Sequence, residues 1–334
     1  MALDVKVKIE LSKTVGSTGF GIPFLVGFEG DKAIPYTECY SLADVIALAG
    51  EDAYVSKAAQ VLFAQTNRPA KIAVAQVAEG TELVTAVTSA MSKNWRQCVP
   101  CGKGIGAGEL VAIADKIETT MDKMLFIGFT AEEFATAKTS FANKKYDRTV
   151  IFVANSDYAN AALVGETAGR PAGSFTYKNM VLKGVTPSDL TDAEITTLHT
   201  AGAIGYVTKA GDNVTTEGIA LSGKYIDLTD SIDYVIQNIE YRVQKVLNNS
   251  AKVPYDDRGI ALLESATLSA LQDAAVNGII AQKEDGTYDY SVAFGARSVT
   301  TEADRASRVY NYGTFHFSLA GAIHDCTVYG EVTA

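Results

Sequence analysis

The sequence predicts an α/β fold with α+β elements, in which helices flank mixed sheets and both ends of the chain form strands. Three observations support this prediction. Between residues 82 and 167, helical segments alternate with short apolar segments, which is typical of a mostly parallel sheet covered on both faces. The first and last segments alternate apolar and polar residues, as half-buried strands do. With 334 residues and 47 % apolar content, the chain can bury a large core.

The charge balance and the cysteine content limit the classes of function. Lys and Arg total 29 against 39 Asp and Glu, so the formal net charge is −10. Because nucleic acids and anionic membranes are bound by clustered cations, we predict neither partner. The four cysteines are too few and too scattered for a disulfide scaffold. Residues 1–11 do not form a signal peptide, and no segment reaches the roughly 18 apolar residues of a membrane helix, so we expect folding in a reducing cytoplasm and no membrane insertion.

The first half of the chain is predicted to begin with a half-buried strand, because apolar residues occupy every second position of segment 5–11. Compact apolar segments that follow predict further strands at 22–28, 71–77, 95–101, 123–129 and 148–154. Helical spacing of apolar residues predicts helices at 41–49, 54–65, 82–93, 109–120, 131–142 and 157–167.

The second half carries clearer boundary signals. Thr191 and Glu194 form a capping box that starts a helix, and Gly202 ends it. Apolar segments predict strands at 180–185, 204–208 and 218–221. Amphipathic spacing predicts two long helices, over 228–247 and 260–279, joined by a turn at 254–259. The last fifty residues are rich in strand signals, most clearly at 315–319, where apolar and polar residues alternate.

These patterns divide the chain into five parts. We expect an N-terminal arm (1–21), a first part of the body (22–80), an α/β block (81–170), a C-terminal body domain (171–310) and C-terminal strands that form a second arm (311–334).

Two motifs resemble chemical sites. Cys98-Val-Pro-Cys101 has the spacing of a redox dithiol or of half a zinc site. However, it follows a strand, precedes a glycine-rich loop and lacks two further ligands in a suitable pattern, so we favour the interpretation that both cysteines are buried strand residues.

The loop from Gly102 to Gly108 matches the G-x-G-x-x-G/A fingerprint and supports an alternative function, that of a Rossmann-like nucleotide-dependent oxidoreductase. Against it, the loop does not follow the first strand, and no well-placed acid lies about twenty residues further on.

The sequence contains no Ser-x-x-Lys, Gly-x-Ser-x-Gly or His-Glu-x-x-His motif and no Walker pattern, and we predict neither an enzyme nor a cofactor. In this acidic chain, Arg297, Arg305 and Arg308 form a local cluster of cations. The cluster is either a solvated face or a surface that contacts an acidic partner.

The two ends are the most unusual feature of the sequence. Strands that do not complete their own sheet leave unpaired backbone groups, which proteins protect or use to add a strand to a neighbouring sheet. From the residues alone, pairing within the chain and pairing between subunits are equally open. The apolar residues of these strands are Val5, Val7, Ile9, Leu11, Phe315, Phe317, Leu319 and Val328.

The order of several motifs along the chain resembles one family. Its opening is similar in Ile22-Pro-Phe-Leu-Val-Gly27, and its end is similar in Asp304-Arg-Ala-Ser-Arg308 and Leu319-Ala-Gly-Ala-Ile-His324. Other matching segments are 40–45, 63–70, 168–173, 182–185, 190–194, 201–204 and 330–332. The chain resembles the contractile tail sheath proteins of myophages, prophages and phage-tail-like bacteriocins of Gram-positive bacteria. It is short for a sheath protein, which suggests a version without large outer insertions.

The resemblance implies a structural role. Family members stack as hexameric rings around a tail tube and contract to drive the tube through a target cell envelope. The implied partners are further copies of the chain, the tail tube protein, and baseplate and tail terminator proteins. The implied location is a virion tail or tail-like particle assembled in the host bacterial cytoplasm. The terminal arms would add strands to neighbouring subunits, and Arg297, Arg305 and Arg308 would face the tube. A non-contractile tube or adaptor protein stays open as an alternative.

Overall fold

The computed structural model describes residues 21–28, 32–78, 80–120 and 122–327. The strand predicted over residues 5–11 and the arm residue Val328 lie outside these ranges.

Strands and helices alternate along most of the described chain. The strands are β1 (Phe24–Phe28), β2 (Ile34–Cys39), β3 (Ile72–Val77), β4 (Gln97–Cys101), β5 (Met124–Phe129), β6 (Thr149–Val153), β7 (Ala203–Lys209), β8 (Asp212–Thr215), β9 (Tyr290–Phe294) and β10 (Gly313–Phe317). The helices are α1 (Leu42–Ala49), α2 (Tyr54–Phe63), α3 (Leu83–Ser89), α4 (Ala107–Glu118), α5 (Ala131–Phe141), α6 (Ala159–Thr167), α7 (Asp192–Thr200), α8 (Ile226–Asn249), α9 (Asp257–Val276) and α10 (Glu302–Ser307), and a short 3-10 helix spans Arg297–Val299.

Eight strands form one mixed sheet in the order β2-β3-β1-β4-β5-β6-β7-β8. The six inner strands are parallel, and β2 and β8 pair antiparallel at the two edges. Helices cover both faces, so the central strands are buried on both sides and are almost entirely apolar. The predicted fold class, a mixed sheet with flanking helices, is confirmed.

Each face of the sheet carries its own core. On one face, residues such as Leu25 and Phe126 pack against α1, α2 and α6. On the other face, residues such as Phe24 and Leu125 pack against α3, α4, α5 and α7. Because neighbouring strand residues point to opposite faces, consecutive positions of one strand enter different cores.

A third core lies between the antiparallel pair α8 and α9 and the two-stranded sheet of β9 and β10. Its buried residues come from the two helices, the segment that follows them and one residue near α6: Val235, Ile239, Ala270, Leu271, Ala274, Ala275, Ile279, Ile280 and Ala172. Of the apolar residues that predicted the two long helices, Val235, Ile239 and Leu271 are buried in this core.

Buried ion pairs join α8 to the large sheet. Asp233 of α8 accepts hydrogen bonds from both terminal nitrogens of Arg148, at 2.7 and 2.8 Å, and one from Nη1 of Arg96, at 2.8 Å. Asp230, one turn earlier, accepts bonds from Arg96 and from the Tyr177 hydroxyl. The two arginines directly precede β4 and β6, so this network fixes the long helix against the start of the parallel strands.

The predicted strand at 180–185 is wrong. Its burial alternates as expected, with Met180 and Leu182 buried and Val181 exposed, but its backbone pairs mainly with side chains. The Leu182 amide donates to the Tyr206 hydroxyl at 2.9 Å, and the Lys183 amide donates to Gln65 Oε1 at 2.9 Å. Side-chain partners replace a neighbouring strand here, and an apolar pattern cannot distinguish the two cases.

Sequence patterns also missed two edge strands and a short helix, namely β2, β8 and α10. The hairpin of β7 and β8 turns at Ala210 and Gly211, both of which have positive φ (51° and 93°). Such two-residue turns favour Asn or Gly at both positions, so alanine at the first one hid the hairpin.

Candidate assembly surface

The sheet of β9 and β10 is the first part of the candidate surface. The two strands pair antiparallel, with Phe315 opposite Val292 and Phe317 opposite Tyr290. Leu319 forms an isolated antiparallel bridge with Ile280. The predicted arm residues Phe315, Phe317 and Leu319 thus pair within the chain on one side. In the described part of the chain, neither strand pairs with a third, so each has an outer edge that a further strand can extend.

The apolar face of this small sheet is incompletely covered. Tyr290, Val292, Phe315 and Phe317 pack against the core of α8 and α9, yet all four are only partly buried. A sheet of two five-residue strands is marginal by itself, and a third strand or more is needed for independent stability. Strand addition at either edge would give the sheet that stability and pair its free backbone groups.

The connection between β9 and β10 carries all three predicted arginines. Arg297 lies in the 3-10 helix, where its amide donates to Asp257 Oδ1 at 2.7 Å and its Nε donates to the Tyr255 carbonyl at 3.1 Å. Arg305 in α10 donates to the carbonyl and hydroxyl of Thr300. Both arginines therefore help to hold their own loop in place, in addition to belonging to the predicted cluster of cations.

Arg308 differs from the other two. It is exposed, ends α10 in a left-handed conformation (φ 60°), and its guanidinium makes no hydrogen bond or ion pair with another described residue.

The sequence analysis did not identify Arg258, which lies in the first turn of α9, as part of this surface. It follows Asp257, which bonds the Arg297 amide, and its side chain is 89 % exposed. No local sequence signal links it to the arginine cluster, because tertiary contact brings the two segments together.

The carboxylate of Asp304 is fixed beside these cations. Hydrogen bonds from Thr301 and Tyr312 hold the pKa of Asp304 below its ordinary value, so this residue stays ionised at neutral pH. The segment from Arg297 to Arg308 is thus an ordered loop of mixed charge in which the free cationic group is Arg308.

The two cysteines of the Cys-Val-Pro-Cys motif are buried on β4, as the favoured interpretation of the sequence predicted. Cys98 lies in the core under α3, α4 and α5, whereas Cys101 lies in the core on the opposite face. Burial raises the pKa of both thiols, which disfavours the reactive thiolate. Among the described residues, no three His, Cys, Asp or Glu side chains gather closely enough to hold a metal ion.

The glycine-rich loop from Gly102 to Gly108 borders a cleft of about 670 Å³ at the carboxyl ends of β4, β5 and β6. Open sheets of this type bind nucleotides at such a position. Three acids, Glu132, Glu133 and Asp157, line the cleft, and Lys103 already pairs with Asp157 at 3.2 Å. This charge balance repels a pyrophosphate, so the geometry does not favour the nucleotide-dependent alternative.

Within the described ranges, no helix combines the length and the apolar character that crossing a membrane requires.

Comparisons with known proteins agree with the architecture. No protein-family model and no curated protein sequence matches the chain. Among solved structures, a chain of the anti-feeding prophage baseplate superposes with a TM-score of 0.72 at 12 % identity, covering 99 % of this chain and 98 % of that one. A chain of an extracellular contractile injection system, the PVC sheath complex in its contracted state, gives 0.68 at 14 % identity, with coverage of 96 % and 94 %.

The sheath tail protein of Listeria innocua gives a TM-score of 0.58 at 8 % identity, covering 84 % of this chain and 90 % of that one. At sequence identities this low, the superpositions show a shared fold and nothing further. Over almost its whole described length, this chain has the fold of contractile tail sheath proteins.

Proposed function

We propose that the chain is the structural subunit of a contractile tail sheath. It polymerises as stacked hexameric rings around a tail tube, and it contracts to drive the tube through the envelope of a target cell. The observation that carries this proposal is the fold match over nearly the full length of chains from two contractile particles, one of them a sheath in its contracted state. The particle is a virion tail or a tail-like assembly, built in the cytoplasm of a bacterial host.

Strand exchange at the sheet of β9 and β10 links the subunits. In this proposal, an N-terminal strand carrying Val5, Val7, Ile9 and Leu11 and a C-terminal strand carrying Val328 come from neighbouring copies and extend the two free edges. Main-chain hydrogen bonds then join subunits directionally, each adding about 0.5–1.5 kcal/mol. The half-buried apolar face of β9 and β10 supports this assignment. Strands added at the two edges would widen the sheet and continue this apolar face over the core of α8 and α9.

The loop between β9 and β10 contacts the tail tube. A sheath must hold the tube before firing and release it afterwards, which suits exposed charges worth about 0–1 kcal/mol per pair. Arg308 is the best-suited group because it is exposed and free of described partners, while Arg297 and Arg305 hold the loop in shape. The tail tube protein is therefore one partner, and baseplate and tail terminator proteins bind the two ends of the sleeve.

The experiment that tests the function is electron microscopy of the purified chain, alone and with its cognate tube. We expect hollow sleeves wide enough to enclose a tube, together with a longer and narrower form when the tube is present. Single rings or narrow tubes of constant length would instead identify a non-contractile tube or adaptor protein.

A further inference from the structure

After β10, residues 318–327 leave the small sheet and cross the body as a segment without regular secondary structure, which we call the strap. At its start, the Ser318 amide donates to the Asp289 carbonyl at 3.0 Å, and the Ala320 amide donates to the Ile279 carbonyl at 2.9 Å. From residue 321 to residue 327, no backbone hydrogen bond joins the strap to any part of the described chain. Side chains alone hold this second half.

His324 is inserted into the body. Its Nδ1 lies 2.6 Å from Glu217 Oε1, and its Nε2 lies 2.9 Å from the Thr176 hydroxyl. The imidazole also meets the Tyr225 ring edge-on, with centroids 4.7 Å apart. Its side chain is 9 % exposed, whereas the preceding Ile323 is 90 % exposed. In its second half, residues 321–327, the strap is thus anchored by polar side chains, with His324 inserted and Ile323 left in solvent.

Lys178 stabilises the docked position of His324 by pairing with residues of both the body and the strap. Its ammonium lies 3.1 Å from Glu217 and 3.2 Å from Asp325, so it ties the receiving carboxylate to the strap. Burial raises the pKa of Glu217, but hydrogen bonds from Lys178 and His324 outweigh this effect and hold it below its ordinary value. An ionised Glu217 accepts a hydrogen bond from the Nδ1–H of His324, and the Thr176 hydroxyl can accept a hydrogen bond from Nε2 or donate one to it. Both bonds therefore form whether His324 is neutral or charged.

The packing beneath the strap is loose. A cavity of about 200 Å³ separates it from the body, with Leu319, Gly321 and Ala322 of the strap on one side and Thr176 and Asp227 on the other. Atoms that border a void already lack contact partners on that side, so residues 321 and 322 lose little apolar contact when this part of the strap lifts. Burial raises the pKa of Asp227, so access of water on lifting also relieves an unfavourable environment.

We propose that the strap is detachable: His324 docks it on the body of the unassembled subunit, and it lifts off when the sheath changes length. The seven residues 321–327, which no backbone hydrogen bond holds to the described body, extend the reach of the following chain by up to about 23 Å when they are freed. The docked strap follows from the contacts described above, while its release during contraction rests on the proposed function. Strand exchange could then persist while the bodies of neighbouring subunits move relative to one another.

Cys326 gives a direct probe of docking. Among the cysteines, Cys39, Cys98 and Cys101 are buried and Cys326 is exposed, so a thiol-specific spin label attaches to the strap alone in the folded protein. We expect a motionally restricted spectrum for the unassembled wild type. His324→Ala should increase the ratio of mobile to restricted label roughly tenfold, since it removes a hydrogen bond to a charged group.

Two further variants make the experiment specific. Glu217→Gln, which changes the receiving side and leaves the strap sequence intact, should also mobilise the label. The matched control is His316→Ala, which removes an exposed histidine from β10 and should leave the spectrum unchanged. Circular dichroism checks that each variant is folded. Identical spectra for the wild type, His324→Ala and Glu217→Gln would overturn the docked strap.

Release is tested separately, in contracted sleeves. A cryo-electron microscopy map should place His324 away from Glu217, and a map in which the 2.6 Å contact is retained would overturn the release. Failure of the wild type to form sleeves would contradict the proposed function, whereas the label experiment on the unassembled subunit would still decide the docking.

Discussion

Removal of Asp233 is the sharpest test of how the long helix α8 is held on the sheet. In Asp233→Ala, Arg148 loses both hydrogen bonds to a carboxylate, and Arg96 loses one of its ion pairs. The arginine side chains are only 8 % and 1 % exposed, so water cannot replace the lost partner. Breaking a buried pair from one side costs about 3–5 kcal/mol, and we expect the upper part of this range because two cations are affected.

The assay is urea unfolding followed by fluorescence of Trp95, the single tryptophan of the chain, which directly precedes Arg96. The matched control is Asp52→Ala, because Asp52 forms an exposed pair with Lys57 at 3.7 Å and should leave the midpoint unchanged. A loss of less than about 1 kcal/mol in the free energy of unfolding of Asp233→Ala would contradict this expectation, since it would mean that water reaches the two guanidinium groups.

Three further predictions concern the close packing at α6 and the candidate tube contact. Gly169→Ala should lower the free energy of unfolding by about 1–3 kcal/mol or more in the same urea assay, because the added methyl group would collide with the Asn67 carbonyl oxygen, and an unchanged midpoint would contradict this. Burial raises the pKa of Glu166, but hydrogen bonds from Arg170 and Asn67 outweigh it and lower this pKa below the unfolded value. The resulting stabilisation is present above the unfolded pKa and is lost as the pH falls through the lower folded value, so the Glu166→Gln variant should lose less stability than the wild type in acid-range unfolding curves. Arg308→Glu should abolish extended assembly on tubes and leave contracted self-assembly intact, and equal extended assembly of variant and wild type by electron microscopy would remove Arg308 from the tube contact.

The sequence was most informative where one physical signal dominates. The alternation of apolar strands and helices between β3 and α6 predicted a parallel sheet correctly, because strands covered on both faces must be apolar throughout. The capping box of Thr191 and Glu194 marked the start of α7, and both of its hydrogen bonds form. These signals are local, so no tertiary information is needed to interpret them.

The remaining features depend on tertiary contacts that a single sequence does not display. The ion pairs of Asp233 join residues 85 and 137 positions apart in the chain. His324 was noted as one of three histidines, but its partners Thr176 and Glu217 lie 148 and 107 positions away. The sequence shows the arginines as a cluster of charge, but the contacts of Arg297 with Tyr255 and of Arg305 with Thr300 are what distinguish these two loop-holding cations from Arg308.

Cryo-electron microscopy of sleeves grown from the purified chain is the most direct test of strand exchange at β9 and β10. We expect each pair of these strands to be extended at its outer edges by strands from neighbouring copies. A variant lacking residues 1–14 should remain folded and fail to form sleeves. A sleeve in which β9 and β10 stay a two-stranded sheet, or sleeves of normal appearance from the truncated variant, would contradict strand exchange at this sheet.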